Sequence, residues 1–374
     1  MATLSALPPS APTPKKKFVR RFAPDLSQQT RHIVQAGFVL LNIFLGAQFY
    51  LWVRFLELGV VDFQVLRPAG AEGWLPIAGL MNFKVFVSTG RIPVVHPAAM
   101  FLFMAFVAIS FVAKKAFCSW LCPVGAFSES LAALGKKIFR RNLRLPRWLD
   151  IPLRGLKYLL LGFFVFIIGA MSAAAIEEFM ATPYGIVADV KMLNFFRDIS
   201  ATAAIVIAAL VVLSLLIEHF WCRYLCPYGA LMGLVSLLSP LKIRRNAQAC
   251  IDCDKCAHAC PASLPVDKLV QIRSVECTAC MACIAVCPAE GALQFSLPQR
   301  RTPAIAAEPA LAPASALPRY RRPITPLAMV TILAVVFFGL ILFAHATNHW
   351  QTRIPLDVYQ QLVPNANLAT HPGF

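Results

Sequence analysis

Residues 250–261 read CIDCDKCAHACP, and residues 277–288 read CTACMACIAVCP. Both stretches have the spacing C-x2-C-x2-C-x3-C-P, and together they hold eight of the twelve cysteines of the chain. Three thiolates spaced this closely can bind three irons of a cubane cluster, while a cysteine from elsewhere in the chain binds the fourth iron. Structural zinc sites instead use C-x2-C pairs that lie a dozen or more residues apart. The spacing therefore predicts iron–sulfur clusters and disfavours zinc.

This spacing is that of bacterial two-cluster ferredoxins, in which the fourth cysteine of each run ligates the cluster of the other run. We therefore predict two [4Fe-4S] clusters with crossed ligands. The ligands of the first cluster are Cys250, Cys253, Cys256 and Cys287. The ligands of the second cluster are Cys277, Cys280, Cys283 and Cys260. A cluster with four thiolate ligands leaves no position for a substrate, so its expected role is the relay of single electrons.

The rest of the chain is apolar. Of its 374 residues, 58% are hydrophobic and 14% are charged, and its mean hydropathy is +0.65. Since soluble domains carry about 25% charged residues, the composition excludes an ordinary soluble domain. Five apolar runs are long enough to span a membrane as helices; they are Ile33–Val53, Pro97–Ala113, Tyr158–Ile176, Ile199–Ile217 and Leu327–Ala344. The predicted fold class is an all-α transmembrane bundle of about five helices with an inserted α+β two-cluster ferredoxin domain.

Basic residues are distributed unevenly between the segments that join these runs. Three segments, residues 1–31, 114–157 and 218–323, hold 28 of the 35 Lys and Arg residues, and the three alternate segments hold the other 7. Lys and Arg are retained on the cytoplasmic side of a membrane. We therefore predict a multi-pass protein of the bacterial inner membrane with a cytoplasmic N-terminus and ferredoxin domain and a periplasmic C-terminus. The basic charges flank spans rather than forming a domain face, so membrane lipid is an expected partner and nucleic acid is not.

These patterns divide the chain into consecutive segments. They are a disordered basic cytoplasmic N-terminus (1–31), a four-helix transmembrane region (32–246) with a periplasmic interfacial segment (57–97), a cytoplasmic ferredoxin domain (247–297), an Ala/Pro linker (298–323), a fifth transmembrane helix (324–346) and a periplasmic tail (347–374). The interfacial segment includes the apolar stretch Trp74–Ser88. Because Pro76, Gly79 and Lys84 interrupt this stretch, we expect an interfacial or re-entrant piece there.

The remaining four cysteines form an internal repeat. Residues 117–126 read FCSWLCPVGA, and residues 221–230, which lie 104 positions later, read WCRYLCPYGA. The correspondence extends without a gap over residues 118–142 and 222–246. Both copies follow predicted spans of the same direction, so we predict a parallel repeat about an axis along the membrane normal.

In a helix, cysteines at positions i and i+4 share a face. The two faces would then gather four thiols at the cytoplasmic membrane edge, beneath the ferredoxin domain; they belong to Cys118, Cys122, Cys222 and Cys226. The proline after each second cysteine is expected to end or kink its helix. Packing and acylation are alternative roles for such cysteines. The duplication favours a redox role, in which the four thiols hold a further metal or cluster or form a dithiol couple.

Three polar residues on the predicted outer side are candidates for a quinone site: His96, Glu177 and Glu178. Oxidation of a quinol needs a group that accepts protons beside an apolar cleft, and polar groups near membrane depth are functional candidates. Anchoring at the membrane interface would explain the same residues.

The two C-x3-C-P motifs, the two ferredoxin runs and the order of spans resemble the membrane polyferredoxins. That family includes NapH of periplasmic nitrate reduction, the electron-transfer portion of NosR, and CcoG. The resemblance covers about residues 30–297. It implies an electron-transfer subunit of a quinol dehydrogenase, which passes electrons between the quinone pool and another redox protein subunit. For the CcoG branch it implies instead the reduction of Cu(II) by the C-x3-C-P cysteines.

Overall fold

The computed structural model describes residues 19–21, 24–59, 65–140, 142–143, 145–298 and 323–372. Its α-helices, in chain order, are α1 (Ser27–Leu58), α2 (Pro76–Thr89), α3 (Pro97–Ala113), α4 (Ala116–Trp120), α5 (Pro123–Phe139), α6 (Arg147–Ala170), α7 (Ala173–Ala181), α8 (Pro183–Ile186), α9 (Ala188–Arg197), α10 (Ala201–Leu216), α11 (Pro227–Val235), α12 (Lys255–His258), α13 (Ala282–Ala285), α14 (Pro326–Ala346) and α15 (Leu356–Leu362). Two strands are β1 (Lys242–Arg245) and β2 (Leu293–Ser296). A π-helical turn covers Trp221–Leu225, and 3-10 turns cover Ala69–Trp74 and Ala366–Leu368. Of the predicted disordered start (1–31), residues 1–18, 22 and 23 lie outside the described residues, whereas residues 27–31 form the beginning of α1. The interior of the predicted Ala/Pro linker, residues 299–322, also lies outside the described residues.

Each of the five apolar runs lies mostly in a helix. Within the described ranges, α1, α6 and α14 are long and apolar enough to cross a membrane, and α9 with α10 forms a fourth candidate that bends by 82°. α3 is equally apolar but has 17 residues. The described part of the chain is thus a mostly helical membrane protein with three candidate spans, or four if the bent pair is one span.

α3 is the centre of the helical part. It is apolar on all sides, and most of its side chains are buried, which is the pattern of a helix surrounded by other helices. It packs against α2, α11 and α14. The helix ends at Ala113 and does not continue to the cysteines, because Lys114 adopts a positive φ of 59°. This break separates α3 from the short helix α4.

The stretch Trp74–Ser88, which we expected to be interfacial or re-entrant, forms α2. Proline occupies the first turn of α2, where its missing N–H removes no hydrogen bond, and Gly90 ends the helix with φ 71°. The buried Asn82 side chain donates to the carbonyls of Val95 and His96, at 2.9 Å each. α2 is therefore fixed against the start of α3 by both packing and hydrogen bonds.

The two cysteine runs lie in a small α+β unit. Strands β1 and β2 pair antiparallel, with Lys242 opposite Ser296 and Arg245 opposite Leu293. Each run contributes one short helix, α12 or α13. β1 begins at Lys242, so this unit starts five residues before the predicted boundary at residue 247. At the repeat offset of 104, β1 corresponds to residues 138–141, and Ile138 and Phe139 belong to α5, so the two copies diverge at this point.

α1 connects the two ends of the molecule. Its 32 residues, at 1.5 Å each, extend about 48 Å. At its start, the Gln28 side chain donates to the carbonyl of Cys280 at 2.9 Å. Near its end, Trp52 packs edge-on against Tyr359 of α15. The cysteine-rich unit and the C-terminal tail therefore lie at opposite ends of a helix that is longer than the hydrocarbon thickness of about 30 Å.

Candidate metal centres and the cavity beside them

The first cysteine run shares one small cavity with the last cysteine of the second run. The cavity is lined by Cys250, Cys253, Cys256 and Cys287. Burial is the main cause that raises the pKa of Cys256 to about 11, and the charges of Cys287, Asp267 and Cys250 contribute to the rise. The Cys287 thiol in turn lies close enough to Cys250 and Cys253 to be affected by their charge. The four residues predicted to hold the first cluster are therefore brought together.

The second run gathers around the last cysteine of the first run. Cys283 is buried, and its pKa is raised well above the ordinary value by burial and then by Cys280, Cys277 and Cys260. Cys277 is also buried, and burial raises its pKa to about 11. These four residues match the set predicted for the second cluster. Cys256 also affects Cys283, so the two sets adjoin.

The same backbone turn presents both runs. Asp252 and Asp254 have φ values of 55° and 57°, and Ala279 and Met281, 27 positions later, have φ values of 51° and 58°. Left-handed φ at residues other than glycine is uncommon and costs energy. Its recurrence at matching positions in both runs indicates that the turns serve to aim the flanking cysteines inward.

The donor groups fit iron–sulfur cubanes. Each set consists of four cysteines, and no set needs a ligand of another type. Among the described residues, no three His, Cys, Asp or Glu side chains converge as they would around a single metal ion. Four thiolates are a complete ligand set for a cubane cluster, so each set can hold one cluster without a further ligand.

The four C-x3-C-P thiols line a second, much larger cavity of about 1130 Å³. Cys118 lies in α4 and Cys222 in the π-helical turn, while Cys122 and Cys226 cap the N-termini of α5 and α11. Burial, and then the charges of the other three cysteines, raises the pKa of Cys222 well above its ordinary value. The four thiols are thus neighbours.

The prolines of the two motifs begin helices. Pro123 and Pro227 occupy the first position of α5 and α11, directly after the capping cysteine. The backbone N–H of Gly229 donates to Cys226 Sγ at 3.2 Å. Helix N-termini favour negative charge. In the second copy, the start of α11 and this backbone N–H therefore face the second sulfur of the motif.

The first C-x3-C-P copy is attached to the loop of the second cluster set. Ser119 donates to the carbonyl of Thr278 at 2.6 Å, and Trp120 Nε1 donates to the carbonyl of Ala279 at 3.1 Å. Cys280 itself lines the large cavity together with the four thiols. The three groups of cysteines are consequently arranged in series, from the first set through the second set to the cavity.

Two buried lysines and a glutamate lie at this junction. Lys157 Nζ lies 2.6 Å from Glu276 Oε1, and the Lys157 side chain is fully buried. Lys115 is 4% exposed, and its ammonium affects Glu276, Cys118, Cys222 and Cys226. Burial raises the pKa of Glu276, but Lys115 and Lys157 outweigh it, so the pKa lies below its ordinary value. The spacing of the motifs does not reveal these groups, although Glu276 directly precedes Cys277.

The residues predicted for a quinone site lie elsewhere. None of His96, Glu177 and Glu178 is among the residues that line the large cavity. Glu177 pairs with the exposed Arg91 at 3.1 Å, and Glu178 is exposed.

His96 belongs to a buried ion-pair network at the other end of the molecule. Arg67 donates to Glu72 at 2.8 Å and to Asp189 at 2.6 Å, and His96 Nδ1 lies 3.3 Å from Glu72 Oε1. His96 Nε2 lies 3.0 Å from the carbonyl oxygen of Gly185. Burial opposes the charge of His96, but the hydrogen bond to Glu72 and its charge raise the pKa of His96 above the ordinary value. This arrangement ties the loops around α2 and α3 to α9.

Two family models match the sequence. The 4Fe-4S binding domain matches residues 95–144 and again residues 200–246, so that each match contains one C-x3-C-P motif. The 4Fe-4S dicluster domain matches residues 242–288, which contain both cysteine runs. The predicted cofactors, two [4Fe-4S] clusters, are thereby confirmed.

Several curated proteins are similar to the chain. YccM of Escherichia coli (strain K12), whose name assigns it to electron transport, is 50% identical over 342 residues, which is 91% of each chain. The ferredoxin-type protein NapH of the same strain is 30% identical over 184 residues, covering 46% of this chain and 59% of NapH. The regulatory protein NosR of Pseudomonas aeruginosa is 29% identical over 279 residues, covering 71% of this chain and 33% of NosR. No solved structure matches the chain.

Proposed function

This chain belongs to the membrane polyferredoxin-type electron transport proteins, and we propose that it relays single electrons between the quinone pool and another redox carrier. Iron–sulfur electron transfer is common to the family. The observation that carries the quinone assignment is the serial arrangement of cysteines, which ends at a large apolar cavity among the helices. A cavity of this size has room for a hydrophobic ring and the start of its tail.

In this proposal the crossed cysteine sets hold the two clusters. Cluster one is held by Cys250, Cys253, Cys256 and Cys287. Cluster two is held by Cys277, Cys280, Cys283 and Cys260. When bound, the clusters would serve as one-electron carriers. The polypeptide fixes the distance between the two cysteine sets and places the buried Lys115, Lys157 and Glu276 beside the second set. The four thiols of Cys118, Cys122, Cys222 and Cys226 connect cluster two to the cavity, as ligands of a further metal or cluster or as a dithiol couple.

The finer architecture is part of the proposal. It comprises five spans with α3 as the second, a parallel repeat about an axis along the membrane normal, and a cysteine-rich unit on the cytoplasmic side of the inner membrane. The length of α1 and the placement of tail and cysteine-rich unit at its opposite ends support this arrangement. Exposed apolar side chains on α1, α6 and α14, such as Ile43, Phe166 and Leu342, suit contact with lipid. A further redox subunit completes the path of the electrons.

The experiment is to add decylubiquinol or menadiol to anaerobically purified protein in detergent and to follow the absorbance of the clusters. We expect bleaching by at least one quinol, as with dithionite. Spectra that no quinol changes, while dithionite bleaches them, would contradict the proposal.

A second candidate function is the reduction of Cu(II) to Cu(I) with one electron from the clusters. One observation favours it: four thiols line a single cavity beside the buried Lys115. In that case Cys118→Ser or Cys222→Ser should abolish copper binding, while the EPR signals of the two ferredoxin clusters survive. Unchanged copper stoichiometry in these variants would exclude this function.

A further inference from the structure

Oxidation of a quinol releases two electrons and two protons, so the site needs a base as well as an electron acceptor. At neutral pH an ionised carboxylate in a salt bridge is a weak base, whereas a neutral imidazole is well suited to accept a proton. Such a histidine must face the large cavity near the C-x3-C-P thiols.

His219 meets these requirements. It lines the cavity, three residues before Cys222, and has a φ of 57°. Its carbonyl accepts a hydrogen bond from the N–H of Arg223 at 2.8 Å, at the start of the π-helical turn that carries Cys222. Burial lowers the pKa of His219 more than the charge of Glu129 raises it, so the ring is neutral at pH 7.

A rigid carboxylate lies near the ring. Glu129 binds Arg31 through two hydrogen bonds of 2.6 and 2.5 Å, and Gln35 donates to it at 3.0 Å. Arg31 and Gln35 both also donate to the carbonyl of Ser119, next to Cys118. Glu129 is thus held in place by side chains that are attached to the first C-x3-C-P motif. Its negative charge favours a positive charge on His219, whereas the charges of Arg31, Arg223 and Lys115 oppose it.

Resting on the quinol-linked function above, we propose that the quinol ring binds at the thiol end of the large cavity and that His219 is its proton acceptor. The quinol O–H bond breaks, its proton moves to a ring nitrogen of His219, and one electron leaves the ring toward the cysteine-bound redox centre. After His219 has passed its proton to water, the second O–H proton and the second electron leave in the same way. The products are a quinone, two protons and two reduced one-electron acceptors.

This assignment replaces the outer-side residues that the sequence suggested for the quinone. His96 is completely buried and engaged with Glu72 and Gly185, so it has no free surface toward a ligand. His345, by contrast, lies in the last turn of α14, is exposed and is not among the residues that line the cavity. It therefore provides a matched control of the same residue type outside the proposed site.

The test compares His219→Asn with His345→Asn. Asparagine tolerates the left-handed backbone at position 219 but is not basic. We expect His219→Asn to slow the reduction of the clusters by decylubiquinol or menadiol by about 100-fold or more, with iron content and dithionite reduction unchanged, and His345→Asn to stay within about twofold of wild type. A His219→Asn rate within twofold of wild type, or an equal loss of rate in His345→Asn, would overturn the proposal.

A second variant guards against a folding defect. His219→Gly also keeps the left-handed backbone, and free imidazole should restore its reduction rate at least tenfold. Imidazole that has no effect on an iron-loaded His219→Gly protein would contradict the role of His219. If wild type is reduced by no quinol, the proposed function fails; if wild type is reduced and the His219 variants are equally fast, only this assignment fails.

Discussion

Buried charges beside the cysteines are paired across long distances in the sequence. Lys157 and Glu276 are 119 residues apart and form a buried ion pair. Such a pair contributes little net stability compared with apolar packing, but removing one partner leaves the other charge buried without compensation. The pair therefore joins α6 to the loop of the second cluster set, and breaking it is expected to destabilise the fold strongly.

Replacing Lys157 by methionine should destabilise the protein by about 3 kcal/mol, at the low end of the range for broken buried pairs. The low end is expected because Lys115 still faces Glu276. Loss of cluster absorbance in a guanidinium titration measures the effect. The exposed Lys137→Met is the control and should change little, and Lys157→Met/Glu276→Gln should recover part of the loss. Equal stability of Lys157→Met and wild type would disprove this role.

The network of His96 predicts a dependence of stability on pH. Because the folded pKa of His96 is raised above 6.5 by Glu72 despite burial, its contribution is full below pH 6.5 and is lost as the pH rises through the folded pKa. Glu72, whose pKa is lowered, contributes above pH 4.5 and loses that contribution only as the pH falls through its folded value.

The thermal midpoint should therefore fall between neutral and alkaline pH in wild type and should fall less in His96→Gln. Light scattering or tryptophan fluorescence during heating in detergent at several pH values measures this. A parallel decline in both proteins would show that His96 is not the titrating group.

At the level of elements, the two C-x3-C-P copies differ in how tightly they pack. A Cβ added at Gly125 would overlap the carbonyl oxygen of Cys118, whereas a Cβ at Gly229 would meet Cys222 and Cys226 atoms only at 3.6 Å. The first copy is thus compressed between α4 and α5. The second, with its π-helical turn, has normal van der Waals space.

We predict that Gly125→Ala destabilises the protein by about 1–3 kcal/mol through overpacking, while Gly229→Ala stays within about 0.5 kcal/mol of wild type. Chemical denaturation followed by circular dichroism compares the two variants. If both substitutions cost the same, the asymmetry of the repeat has no energetic consequence.

The crossed ligand sets predict which cluster each cysteine affects. Cys287→Ser should disturb the EPR signal of the cluster whose other ligands are Cys250, Cys253 and Cys256, because its thiol lines their cavity. The mirror variant Cys260→Ser should disturb the other signal. Loss of the second-run cluster in Cys287→Ser would mean that the ligands are not crossed.

Much of this element-level organisation is predictable from the sequence, because spacing and hydropathy are local. The cysteine sets follow from C-x2-C-x2-C-x3-C-P, and the helices follow from the apolar runs. The break at Lys114 and the helix over Pro76–Thr89 are not visible locally, since tertiary packing decides them. His219, Lys115 and Glu276 were missed for the same reason: their neighbours lie far away in the chain.

At the scale of the whole molecule, the proposed orientation predicts that the C-terminal tail and the cysteine-rich unit lie on opposite sides of the membrane. Alkaline phosphatase fused after Phe374 should be active, because it would lie in the periplasm, and green fluorescent protein fused after Leu297 should fluoresce in the cytoplasm. The exchanged fusions, with each reporter at the other site, should be inactive. The opposite pattern would invert the proposed topology.

The apolar core runs without interruption from α3 and α14 through Trp120 into the cysteine-rich unit, where it includes Ile272 and Phe295. Close-packed cores resist deformation. We therefore expect the spacing between neighbouring cysteine sets to stay constant during the proposed electron relay. Control of turnover would then lie at the two boundaries, where the electron source arrives and where the recipient departs.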